Sequence, residues 1–205
     1  MADLPIALDA SLAGRLRDAL DADGKILRAL EALGPVADRD VILLDGTDGD
    51  LRSTRLRALG ARVRPAPRTE DDGWDAPTGS ADTVVGLWSA LRGAIPAEVD
   101  RAASLARPGG RLLIVHDYGR DDVARLLGDP AEPLDWSRRD GPFLGAGFRI
   151  RVVHCFWTFA DLDATRSFLE DAFGSVGREV GATLQRPRLS YNIAVYHRTI
   201  GEPAA

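Results

Sequence analysis

Three consecutive residues, His116, Asp117 and Tyr118, have the side chains that acid–base chemistry uses. They are an imidazole that titrates near neutrality, a carboxylate that can orient it, and a phenol that can donate a hydrogen bond. They stand at the carboxyl end of residues 111–117, a run that is apolar without alternation from Leu112 to Val115. Such a strand must be covered on both faces and belongs inside a parallel sheet, where polar residues at the carboxyl end open onto the usual ligand crevice. Successive strand residues point to opposite faces, so at most two of the three can serve one reacting atom. His116 and Tyr118 are the candidate catalytic residues, and Asp117 is a candidate substrate contact.

The elements that must position this triplet can be read from the pattern. Leu12, Leu16 and Leu20, then Leu27, Leu30 and Leu33 up to Gly34-Pro35, mark two helices in residues 1–38 that cover a sheet. Residues 41–45 form an apolar strand that breaks at Gly46-Thr47-Asp48-Gly49. A helix with Leu51, Leu56 and Leu59 follows, then a strand at 61–64, a βαβ unit of minimum length. Residues 65–80, rich in proline, glycine and aspartate, read as a loop. A strand at 82–87 passes into a short helical turn from Trp88 to Leu91, and Pro96 opens a helix that ends in the Pro-Gly-Gly turn before residue 111. A helix near 121–128, a polar stretch at 130–139, and two strands at 148–157 and 189–198 complete the chain. Between the last two strands, a helical insert at 160–187 begins with a capping box at Thr158 and Asp161, stops at Gly174 and resumes with Val176, Val180 and Leu184.

With 205 residues, 45% apolar and 28% charged, the chain is expected to fold as one domain over 1–205. No window approaches eighteen consecutive apolar residues, and the start lacks a basic segment followed by an apolar one, so a soluble, cytoplasmic protein with no membrane partner is expected. The net charge of −5 and the absence of a basic cluster on any one element disfavour a nucleic-acid partner. Cys155 reads as a buried strand residue. His154 and His197 have no accompanying ligand cluster, so no metal is expected.

The segments "ADTVVGLWSAL", "EVDRAASLARPGGRLLIVHDY" and "FLGAGFRIRVV", following the strand, glycine loop, helix and strand of residues 41–64, resemble class I S-adenosylmethionine-dependent methyltransferases over about residues 25–198. The resemblance implies a three-layer, Rossmann-like α/β fold, its sheet mostly parallel with an antiparallel C-terminal strand. It also implies S-adenosylmethionine as cofactor and a small-molecule methyl acceptor. Cofactor contacts are then expected at Asp45, Gly46, Thr47, Gly49, Leu87 and Trp88, and acceptor contacts at Ser89, Asp117 and Tyr191. His116 would take the acceptor's proton.

Two departures from the family pattern stand out. With Gly49 aligned to the last glycine of the family's acidic-x-Gly-x-Gly-x-Gly loop, the first two glycine positions fall on Asp45 and Thr47, and the acid falls on Leu43. A second register lets Asp45 meet the cofactor's amino group while Gly46 and Gly49 carry the turn. The carboxylate that the family places after the second strand is absent from Val63-Arg64-Pro65-Ala66-Pro67, leaving Asp71, Asp72 or Asp75 to reach in from the loop. That loop is too short for the usual helix and third strand, so an edge strand is expected to be lost. For the insert, a lid and a homodimer contact are both open. The rival reading is a non-catalytic methyltransferase-fold module for binding or dimerisation. A nicotinamide dehydrogenase ranks below both, because residues 45–51 lack Gly-x-Gly-x-x-Gly spacing.

Overall fold

The computed structural model describes residues 4–47, 50–71, 73–88, 90–92 and 96–201. Apolar runs without alternation fold as the middle of one sheet. The strands are β1 (Asp40–Leu44), β2 (Arg62–Ala66), β3 (Ala81–Leu87), β4 (Ala106–Asp117), β5 (Arg149–Thr158) and β6 (Arg188–Thr199), in the order β2-β1-β3-β4-β6-β5. The first four pair in parallel, and β6 runs antiparallel between β4 and β5. Among the described residues no strand lies outside β2, which agrees with the expected loss of an edge strand.

Alternation divides the core into two layers. Val41, Leu43, Val85 and Leu113 face α1 (Ala10–Ala19), α2 (Lys25–Leu33), α3 (Leu51–Ala58), α5 (Asp122–Leu126) and α8 (Leu162–Thr183). Ile42, Val84, Leu112 and Ile114 face α4 (Pro96–Ser104), α6 (Glu132–Trp136) and α7 (Pro142–Gly145). Both faces of the central strands are therefore dry, as a parallel sheet requires.

Four local expectations change. The Pro-Gly-Gly segment is a bulged part of β4 rather than a separate turn, because Gly109 N–H donates to Ile200 and Ile200 N–H donates to Gly110 (2.9 Å each). Trp88 and Leu91 are left-handed (φ 50° and 59°), so the segment after β3 is no helical turn. The polar stretch at 130–139 contains α6. Asp161, not Thr158, caps α8, accepting the Ala164 N–H at 2.7 Å while Thr158 closes β5.

Gly174 (φ 59°) reverses α8 into a helical hairpin, as the glycine stop and second apolar series imply. A Cβ at Gly177 would lie 1.9 Å from the Leu169 carbonyl oxygen, so glycine there lets the two arms touch. Phe168 and Leu169 of the first arm are fully buried beside Trp157, and Asp171 pairs with Arg15 of α1 at 2.7 Å. The first arm is core and not a lid, whereas Val176 on the second arm is exposed.

Candidate functional site

The carboxyl ends of β1, β3 and β4 converge, and strand alternation separates the triplet. His116 enters the α4/α6/α7 layer, fully buried, with its ring 4.6 Å from that of Trp136 and 5.6 Å from that of Phe143. Neither ring nitrogen has a hydrogen-bond partner among the described residues. Burial pushes its pKa down to about 3, with Arg92 acting in the same direction, so the imidazole is neutral and enclosed at physiological pH. A side chain without access to a reacting atom cannot be the proton acceptor expected of His116. Tyr118, two residues on, packs half-buried on the same layer beneath Arg120 and is likewise turned away from Asp117.

Asp117 enters the opposite layer. Its Oδ1 accepts the Tyr191 hydroxyl proton in a very short hydrogen bond, and Tyr191 Oη in turn accepts from Trp88 Nε1 at 2.9 Å. Tyr191 is fully enclosed and its pKa is raised well above the ordinary value by burial, so the phenol remains a donor. Burial also raises the pKa of Asp117, against the opposing pull of Tyr191, Arg92 and Trp88. No hydrogen bond from a described residue reaches Oδ2. A desolvated carboxylate with one oxygen fixed and one uncommitted can accept a proton from an incoming N–H or O–H.

The other carboxylates of this rim are committed. Asp21 accepts the Lys25 and Ile26 N–H groups at 2.7 and 2.9 Å, Asp121 accepts those of Ala124 and Asn192 at 2.7 Å, and Asp122 holds Ser190. Asp50 forms a buried pair with Arg52 at 2.8 Å, and Arg52 reaches the Leu87 carbonyl at 3.4 Å. Trp88 is buried in the core, and one side of it walls a cleft beside α2 and α3.

At the end of β1, Asp45 is left-handed (φ 54°), and its Oδ1 accepts from Trp74 Nε1 at 2.9 Å and Arg68 Nε at 3.1 Å. Arg68 also pairs with Glu98 and lies 4.5 Å over the Trp74 ring. The loop after β2 thus delivers an arginine and a tryptophan to this site. Asp71 and Asp75 stay exposed, and Asp72 lies outside the described residues. A tryptophan isolated in a polar loop is the signal that sequence reasoning passed over. Gly46 is buried against Leu43, and the exposed Thr47 accepts the Asp50 N–H through its carbonyl at 3.2 Å. Gly49 and Ser89 lie outside the described residues.

No family model matches this sequence, and no curated protein does. Solved structures do. A methyltransferase from Aquifex aeolicus described as S-adenosylmethionine-dependent is 13% identical, with a TM-score of 0.51 over 95% of this chain and 100% of that one. The fold is that of the class I S-adenosylmethionine-dependent methyltransferases. Another such enzyme, from Thiobacillus denitrificans, solved with S-adenosylhomocysteine, matches at a TM-score of 0.50 and 17% identity, over 94% of this chain and 99% of that one. In the methyltransferase fold, the ends of β1, β3 and β4 form the rim where ligands of open α/β sheets bind. Here that rim holds two carboxylates, Asp45 and Asp117, each with Oδ2 unbonded to any described residue. Such hydrogen-bond acceptors suit a ligand that presents hydroxyl or amino groups. No helix among the described residues is long and apolar enough to cross a membrane.

Proposed function

We propose that this protein is an S-adenosylmethionine-dependent methyltransferase acting on a small molecule, with an atypical cofactor loop and with Asp117 receiving the acceptor's proton. The observation that carries the reading is the desolvated Asp117 carboxylate, held by Tyr191 with Oδ2 unbonded to any described residue, at the ligand rim of this fold. Asp45 and the Gly46-Thr47 backbone would hold the cofactor, whose sulfonium supplies an activated methyl group when bound. Tyr191 and Trp88 keep the Asp117 carboxylate from rotating, so its free oxygen meets the acceptor without reorganisation. Much of the barrier reduction then comes from alignment and exclusion of water, and His116 has no part in it.

The second reading is a non-catalytic module. Leu43 in place of an acid, Arg52 drawn under the Leu87 carbonyl and Asp45 tied to the loop after β2 favour it. Calorimetric titration with S-adenosylmethionine and S-adenosylhomocysteine separates the two. Micromolar binding supports the enzyme. Neither heat nor thermal shift at millimolar ligand would leave the module, because ligand at a hundred times its Kd stabilises a fold by about 2.7 kcal/mol.

A further inference from the structure

No single element of this chain carries a basic cluster, but the sheet assembles one. In the register of β4, β6 and β5, Arg149 lies beside His197 and Arg111 beside Thr199. The two-residue period then puts Arg111, His197, Arg149 and Arg151 on one face of three adjacent strands. Arg111 donates to the neutral Thr199 hydroxyl, so its charge stays uncompensated. Arg149 and Arg151 are exposed, and neither forms a hydrogen bond or ion pair with a described residue. The half-buried His197 senses the field they make: burial lowers its pKa, and Arg111, Arg149 and Arg151 all act in the same direction.

β5 is also the edge of the sheet. The carbonyls of His154 and Phe156 accept from Lys25 Nζ at 3.0 Å and from the Asp21 N–H at 3.3 Å, so its even-numbered residues turn their backbone groups away from β6. At Ile150 and Val152 these outward groups meet no described residue. A short open edge therefore runs beside two unpaired arginines spaced by two. A second copy of the chain is a poor occupant, because antiparallel pairing of β5 with itself would set these arginines against like charges. Guarding the edge does not account for Arg111 and His197, which stand on inner strands.

We propose that residues 149–153 dock an extended acidic segment of a partner protein. The segment adds a strand beside β5, with carboxylates at alternate positions facing Arg149 and Arg151 and apolar residues between them beside Ile150 and Val152. Main-chain hydrogen bonds supply the pairing, and charge selects the sequence. The surface belongs to the amino half of the sheet, where Arg111 pairs with Thr83 near the start of β3, and it does not depend on the methyltransferase reading.

The test is titration of the full chain with the peptide Thr-Glu-Val-Glu-Val-Glu-Thr, its lysine counterpart, the acidic peptide methylated on alternate amides, and oligothymidylate. The expected result is saturable binding of the acidic peptide, about tenfold tighter than that of the lysine peptide, with slowed amide exchange at Ile150 and Val152. Arg149→Glu combined with Arg151→Glu should reverse the preference. Val152→Pro should abolish binding while leaving every charge in place, since an outward N–H on an edge strand has no ladder bond to lose. If Val152→Pro does not fold, the methylated peptide decides in its place by failing to bind. Absence of saturable binding, equal affinity for the methylated peptide, or binding untouched by the charge-reversed variant would each overturn the proposal. Tighter binding of oligothymidylate would overturn it in favour of a nucleic-acid surface, and Ile150 and Val152 amides already protected in a dimer of the free chain would overturn it in favour of a second copy.

Discussion

The two rims of the sheet use the same residue types to opposite ends. At the amino rim, Arg107 bridges Asp82 and Asp40 at 2.5 and 2.9 Å, and Arg62 adds a second pair to Asp40 at 2.8 Å. These groups sit in water, and the two arginines hold Asp40 down to about 2. Asp40 and Asp82 are both held in ion pairs there. At the carboxyl rim, burial raises the pKa of Asp117, whose Oδ2 no described residue bonds, and encloses the Asp50–Arg52 pair. A left-handed Trp88 adds backbone strain of a kind that clusters at functional sites. Solvation, rather than residue type, separates a fastening from a site.

The sharpest way to break this contrast is Asp117→Asn. Methyl transfer, followed as S-adenosylhomocysteine production with a small-molecule extract as acceptor, should fall by about 10²–10⁴-fold. Cofactor affinity should be unchanged. Because Asp117 must be ionised to accept a proton and its pKa is raised, the wild-type rate should fall on acidification while still above the ordinary carboxylate range. A rate that stays flat down to pH 4 would remove it as base.

Asp50→Ala strands the buried Arg52 guanidinium, and urea unfolding should show a loss of about 3–5 kcal/mol. Next comes His116→Leu. The folded pKa of His116, about 3, lies below its unfolded value near 6.5, so between these pH values only the unfolded chain takes up the proton, and acidification erodes stability. At about 1.4 kcal/mol per pH unit, wild type should lose about 2 kcal/mol between pH 6.5 and 5 from this group, a loss absent in the leucine variant. Equal pH slopes for the two proteins would show that His116 is not sealed. The smallest effect belongs to the amino rim. Asp40→Asn should leave Tm unchanged at physiological salt, and a large drop there would erase the distinction between the rims.

Much of this was legible in advance. Unbroken apolar runs gave the parallel strands, Gly174 the stop within α8, and the short loop after β2 the missing edge strand, because each rests on local chain chemistry. The candidate site was legible only in part. Alternation already prevented His116 and Asp117 from serving one atom, yet the residue type favoured histidine as base. What excluded it was Trp136 and Phe143 closing over the ring from 20 and 27 positions away. Arg68 and Trp74 went unnoticed because neither has a local pattern.

By itself, then, the sequence determined which segments are strands, which are helices and which strand ends carry polar groups, since backbone preference and apolar period act over a few residues. Only the tertiary structure decided which of those polar groups are paired and which are sealed. Desolvation and hydrogen bonding depend on neighbours brought from distant parts of the chain, as Tyr191 is brought to Asp117 across 74 positions.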